Sequence, residues 1–171
     1  MVRSKRTRKN GKKKLRISPS KLLLSILLCI IIGSSAAVFM SSSIDNWYTT
    51  LAKPTWTPPN WVFAPVWLTL FALMGVSIYL IWQHGRRNEN ITTAFILFCV
   101  QFAANIMWSF FFFGMESPII AFADIILLWL LIATTIIAFY RISKPASYIM
   151  IPYIVWVTIA AALNYSVILL N

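Results

Sequence analysis

Apolar side chains run along this chain in five long windows, at residues 22–40, 64–82, 91–113, 118–140 and 146–169, each nearly free of charge. At about 1.5 Å per residue, a helix over any of them crosses a hydrocarbon core of roughly 30 Å. Barrel strands alternate apolar and polar positions over about 10 residues. These windows are continuously apolar, so the pattern predicts helices. The expected fold is an all-α integral membrane protein, a five transmembrane helix bundle, with residues 1–21 as a tail and residues 22–171 as the membrane domain. A composition of 60% hydrophobic and 11% charged residues agrees, being far more apolar than a soluble domain of this size.

Charge then orients the bundle. Ten of the fifteen basic residues lie in the tail, between Arg3 and Lys21. With the N-terminus cytoplasmic, five alternating crossings bring Arg86, Arg87, Arg141 and Lys144 to the same side and leave only Lys53 outside, as the positive-inside rule requires. The first loop, residues 41–63, and the C-terminus then face outward. A bacterial plasma membrane fits this pattern best. The tail has no aromatic residues for base stacking, so no nucleic acid partner is expected. Attraction to anionic lipid headgroups is the better reading beyond a plain topology signal. A basic start before an apolar stretch also resembles a signal peptide, but the stretch is long for one, and a retained first helix is expected.

Conventional chemistry finds little support. Cys29 and Cys99 both fall inside spans and His84 is isolated, so neither a disulfide framework nor a metal site is expected. There is no Gly-rich phosphate loop, nucleophile elbow or carboxylate pair. Asp124 is the one acidic residue inside a span, and an ionisable group there is costly. A neutral or paired carboxyl that orients helices competes with a proton relay, for which a lone carboxyl is poorly equipped.

Indoles and amides at helical spacing are the positive signal. Trp67, Phe71, Met74 and Ile78 share a face of the second span, Gln101, Asn105, Trp108 and Phe112 one of the third, and Tyr153, Trp156, Ala160 and Asn164 one of the fifth. Ordinary packing accounts for any one of them alone. Together they differ from a Leu and Ala bundle, because buried indole and amide N–H groups need partners. Ala160, one turn after Trp156, leaves space beside a flat ring, as a slot for a planar ligand requires. Before the second span, residues 47–67 read WYTTLAKPTWTPPNWVFAPVW, with Pro54, Pro58 and Pro59 stiffening a loop that carries Trp47, Tyr48, Trp56 and Trp61. This loop is read as a lid over a pocket that begins at Trp67, although part of its tryptophan set also suits an interfacial belt.

The same residues carry a resemblance. The run from Trp47 through Pro59, Val62-Phe-Ala-Pro-Val-Trp67, Asn105-Ile-Met-Trp108, Phe112-Phe-Gly114, Ala123-Asp124 with Trp129, Pro152-Tyr-Ile-Val-Trp156 and Leu163-Asn-Tyr165 are similar to the tryptophan-rich sensory protein and translocator protein family, TspO/MBR, also called the peripheral-type benzodiazepine receptor family. The resemblance spans residues 47–171. It implies a homodimer of five-helix bundles that binds tetrapyrroles such as protoporphyrin IX. It implies a pocket lined by Trp67, Asn105, Trp108, Trp156 and Ala160, to which spacing adds Phe71 and Gln101. No cofactor is required, with porphyrin as ligand. In some bacterial relatives the indoles matching Trp67 and Trp156 support light- and oxygen-dependent porphyrin degradation, which would make them catalytic here. Cholesterol transport does not carry over, because residues 166–171 lack the basic residue that the animal pattern places after the tyrosine matching Tyr165.

Three functions follow as expectations: a tetrapyrrole-binding sensor or regulator, with transport of the ligand as a variant, a photochemical porphyrin-degrading enzyme, or a membrane assembly protein with an incidental pocket. Gly33 and Ala37 permit close helix packing in each.

Overall fold

A computed structural model describes residues 18–40, 43–84 and 90–171. Most of the basic tail lies outside the described residues, as do Arg86 and Arg87 of the loop after the second span. Among the described residues five helices are long and apolar enough to cross a membrane, and the protein is an all-helical integral membrane protein. They are built from α1 (Pro19–Ser34), α2 (Asn60–Gln83), α3 (Asn90–Ser109), α4 (Pro118–Tyr140), and a fifth span divided into α5 (Lys144–Ile149) and α6 (Ile151–Leu170).

Proline marks several starts. Pro19, Pro118, Pro145 and Pro152 each sit at the first or second helical position, where a missing N–H costs nothing. Pro152 follows directly on the turn at Met150 that separates α5 from α6. Pro65 lies inside α2, and the Thr69 hydroxyl bonds back to its carbonyl at 2.8 Å. Two spans also tighten or widen at one end. Ser35–Phe39 continues α1 as a 3₁₀ turn, and Phe110–Gly114 continues α3 as a π-helical turn.

Packing pairs the helices unevenly. α1 lies along α2, α3 along α4, and α4 against α6, while α5 sits between α2 and α4. The α1–α2 approach depends on Gly75: a Cβ placed there would stand 2.5 Å from the Ile26 Cα and 2.8 Å from the Ser25 carbonyl. Gly33 plays a matching part nearer the other end, where a Cβ would meet the Phe71 ring at 2.6 Å. By contrast α2 and α6 meet through large rings, Phe63 against Trp156 at 5.9 Å and Trp67 against Tyr153 at 6.4 Å between centroids. Rings of that size hold two backbones apart, and the gap is the cavity described below.

Toward the end where the chain enters, polar groups stitch the bundle. The Ser18 amide donates to the Tyr79 hydroxyl at 2.7 Å, Gln83 donates to the same hydroxyl, and Ser77 donates to the Ala146 carbonyl at 2.7 Å. Lys21 and Lys144 lie over Trp82 and Tyr140. The core is largely apolar, with Met74, Ile81, Leu128, Ile132, Phe139 and Val157 almost fully buried. Leu23, Leu27, Ile31, Ile119 and Leu130 are exposed, as side chains facing lipid tails should be.

Candidate functional site: an aromatic cavity beneath the first loop

Antiparallel alternation gathers the C-terminal ends of α1, α3 and α6 and the N-terminal end of α2 at one pole of the bundle. Between them lies a cavity of about 450 Å³, within the range typical of small-molecule sites. α2 contributes Phe63, Ala64, Trp67 and Phe71, α3 contributes Asn105, Trp108 and Ser109, and α6 contributes Trp156, Ala160, Leu163 and Asn164. Gly33, Ala36 and Ala37, at the end of α1, close a further wall.

Two stacked pairs dominate the surface. Trp67 lies against Phe71 with centroids 5.6 Å apart and planes 28° from parallel, and Trp108 against Phe112 at 5.1 Å and 22°. Both pairs follow from helical spacing, one turn apart on a single face. Asn164 ties the walls together: its side-chain oxygen accepts from the Trp108 indole at 3.1 Å, and its amide donates to the Pro118 carbonyl at 2.9 Å. One side chain thus joins α6 to α3 and to the start of α4. The Trp156 indole nitrogen, two turns earlier on α6, is buried without a hydrogen-bond partner. A buried donor left unpaired is costly.

The loop covers this pole and is fastened at both sides. Its short helical turn, Ile44–Tyr48, is anchored where the Ser43 hydroxyl donates to the Phe113 carbonyl at 2.7 Å. Trp47 meets the Phe112 ring edge-on at 5.4 Å, and Tyr48 packs on Phe113 at 5.7 Å. Burial pushes the Tyr48 phenol above its usual range, so it stays neutral. Farther on, Ala52 is clasped by Asn171: the Ala52 N–H donates to the Asn171 side-chain oxygen at 3.0 Å, and the Asn171 amide donates to the Ala52 carbonyl at 3.1 Å.

The cavity wall gathers Trp67, Phe71, Asn105, Trp108, Trp156 and Ala160, with Tyr48 from the loop. Gln101 is not on it. One turn deeper than Asn105, it is wholly enclosed in the core and both polar atoms of its amide lack partners. Helical spacing aligned it with Asn105, but the cavity ends above it. Trp47 seals the loop against the bundle without reaching the wall. Trp56 and Trp61 are 50% and 75% exposed and do not line the cavity, an exposure that suits an interfacial belt. Pro54, Pro58 and Pro59 shape the backbone instead of lining the space, with Thr57 turning back on the Pro54 carbonyl and Pro59 leading into α2.

Several wall residues escaped spacing arguments. Phe63 stands one turn before Trp67, so extending the same face would have found it. Gly33 and Ala37 were legible only as packing residues. Lys53 and Thr57 reach the cavity through the fold of the loop, for which no periodicity exists. Cys99 is exposed on α3, and no His or Cys lines the cavity among the described residues. Asp124 is partly buried on α4 with one carboxyl oxygen unpartnered.

Fold and site together define an integral membrane bundle with an aromatic chamber at one pole, covered by its first loop. Residues 25–170 match the model of the TspO/MBR family, and the chain belongs to that family. It is 41% identical over 150 residues to the tryptophan-rich protein TspO of Chlorobaculum tepidum, which covers 88% of this chain and 95% of the relative. It is 36% identical to protein CrtK of Rhodobacter capsulatus over 84% of this chain and 88% of that one. Identity to the human translocator protein is 38%, over 71% of this chain and 73% of the relative.

Proposed function

We propose that this protein is a tetrapyrrole-binding sensor or regulator that takes protoporphyrin IX or a similar planar molecule into the chamber beneath its first loop. The observation that carries the reading is the wall itself: two stacked aromatic pairs facing a 450 Å³ space, with Asn105 and the Trp156 ring beside them. A macrocycle stacks on such rings, and its polar edge can pair with the Asn105 amide. Relatives named sensory protein and translocator protein agree with sensing or transport. The charge pattern supports a cytoplasmic N-terminus and a chamber opening on the outer side of a bacterial plasma membrane. A homodimer is part of the same reading.

The test is a titration of purified protein with protoporphyrin IX, followed by tryptophan fluorescence and absorption in the dark. Saturable binding is expected, weakened about two- to tenfold by Trp67→Leu or Trp156→Leu, the worth of one aromatic stacking contact. Asn105→Ala should weaken it too. Absence of saturable binding by the parent would remove the reading in favour of an assembly role. Because no His or Cys lines the wall among the described residues, metal-free protoporphyrin should bind more tightly than haem. Equal affinities, unchanged by Cys99→Ser, would contradict this.

A second reading has its own observation, since Trp67 and Trp156 both border the chamber. Under light and oxygen they would serve as redox-active indoles in porphyrin breakdown. Light-dependent bleaching to a new species, lost in Trp67→Phe and Trp156→Phe, would establish it.

A further inference from the structure

Among the described residues, Lys53 is the one charged side chain on the wall of the chamber, and no Asp or Glu lies there with it. Its ammonium rests over the Tyr48 ring, 4.2 Å from the centroid, and the residue is half-buried. The backbone that carries it is held from both sides. Ala52, just before it, is bound through both its N–H and its carbonyl to Asn171, whose amide also donates to the Val167 carbonyl at 2.8 Å at the end of α6. Pro54, just after it, has a fixed φ. The root of Lys53 is therefore fixed over the chamber mouth, while its four-carbon stem stays free to swing.

A cation beside apolar walls lacks much of its hydration, and a ring face replaces only part of it. A carboxylate replaces more, through charge-assisted hydrogen bonds that a neutral ester does not form with comparable strength. The rest of the wall asks for a flat apolar body. The two demands together describe an amphiphilic ligand with its plane between the indoles and an anionic group at the loop.

We propose that Lys53 is the residue that selects ligand charge, leaving the Tyr48 ring to pair with a carboxylate at the ligand edge, so that the chamber prefers planar acids to their neutral esters. This rests on the reading of the chamber as a tetrapyrrole site and narrows it. Asn171 is a positioning residue for the same contact, acting through Ala52.

The experiment compares protoporphyrin IX with its dimethyl ester on the parent, Lys53→Met and Lys53→Arg, all in one detergent. The parent should bind the acid more tightly than the ester. Lys53→Met should lose about tenfold for the acid, the scale of one charge-assisted hydrogen bond, while binding of the ester holds steady and reports an intact chamber. Lys53→Arg should restore the preference, and Asn171→Ala should reduce it. Equal losses for acid and ester in Lys53→Met, or no loss for the acid, would overturn the role of Lys53 and leave the tetrapyrrole reading standing. Failure of the parent to bind either compound would overturn that reading and this inference with it.

Discussion

Replacing Asn164 with leucine is expected to damage both stability and binding. The side chain is 2% exposed and is the acceptor for Trp108 and a donor to Pro118. Leucine leaves the Trp108 N–H without a partner and removes the second bond to the Pro118 carbonyl, which keeps its place in the α4 hydrogen-bond ladder. A buried orphaned group costs about 1–3 kcal/mol, whereas interhelical hydrogen bonds in a membrane protein are worth about 0.6 kcal/mol on average. The lower part of the first range applies to the substitution, because one group is orphaned and water entering the chamber would relieve it in part. A loss of about 1–2 kcal/mol is therefore expected, read as a lower midpoint of thermal unfolding in detergent. The freed Trp108 ring should also weaken porphyrin binding. Trp108→Phe removes the donor, so a double-mutant cycle between the two positions should be non-additive. Additive losses would show that the bond does not link the two walls.

Gly75→Ala is the second substitution with a large expected effect. Its new methyl would lie 2.5 Å from the Ile26 Cα, and the obstacle is backbone, which has no rotamer to yield. α1 has to move away from α2 along their main line of contact. Overpacking of this kind costs about 1–3 kcal/mol. Gly114→Ala is the comparison, because there the nearest obstacle is the Phe110 ring, at 2.9 Å, which can rotate aside. Thermal unfolding should show a clear loss for Gly75→Ala and a smaller one for Gly114→Ala. Equal midpoints would mean that α1 and α2 do not pack as closely as described.

Much of the site was legible because helix periodicity is a local property. Trp67 with Phe71, Asn105 with Trp108, and Trp156 with Ala160 are three or four residues apart, so each pair had to share a face once its helix formed. Gln101 marks where that logic stops. Periodicity says which residues share a face, but the depth of a cavity along that face depends on what the neighbouring helices place opposite. Trp56 and Trp61 mark a second limit, since loop composition carries no direction. Gly75 was missed for a third reason: a glycine within an apolar window reads like any small residue until the partner helix is known.

The membrane class, the helical fold and the family were all contained in the order of residues. Continuous apolar windows leave no other way to satisfy the backbone in lipid, and the loop and span motifs are specific. Tertiary structure alone decided that α2 and α6 stand apart on their aromatic rings, that Asn164 joins three helices, and that Asn171 holds the loop so that Lys53 reaches the chamber. These are contacts between residues dozens of positions apart. They arise from how helices settle against one another, which no local pattern encodes.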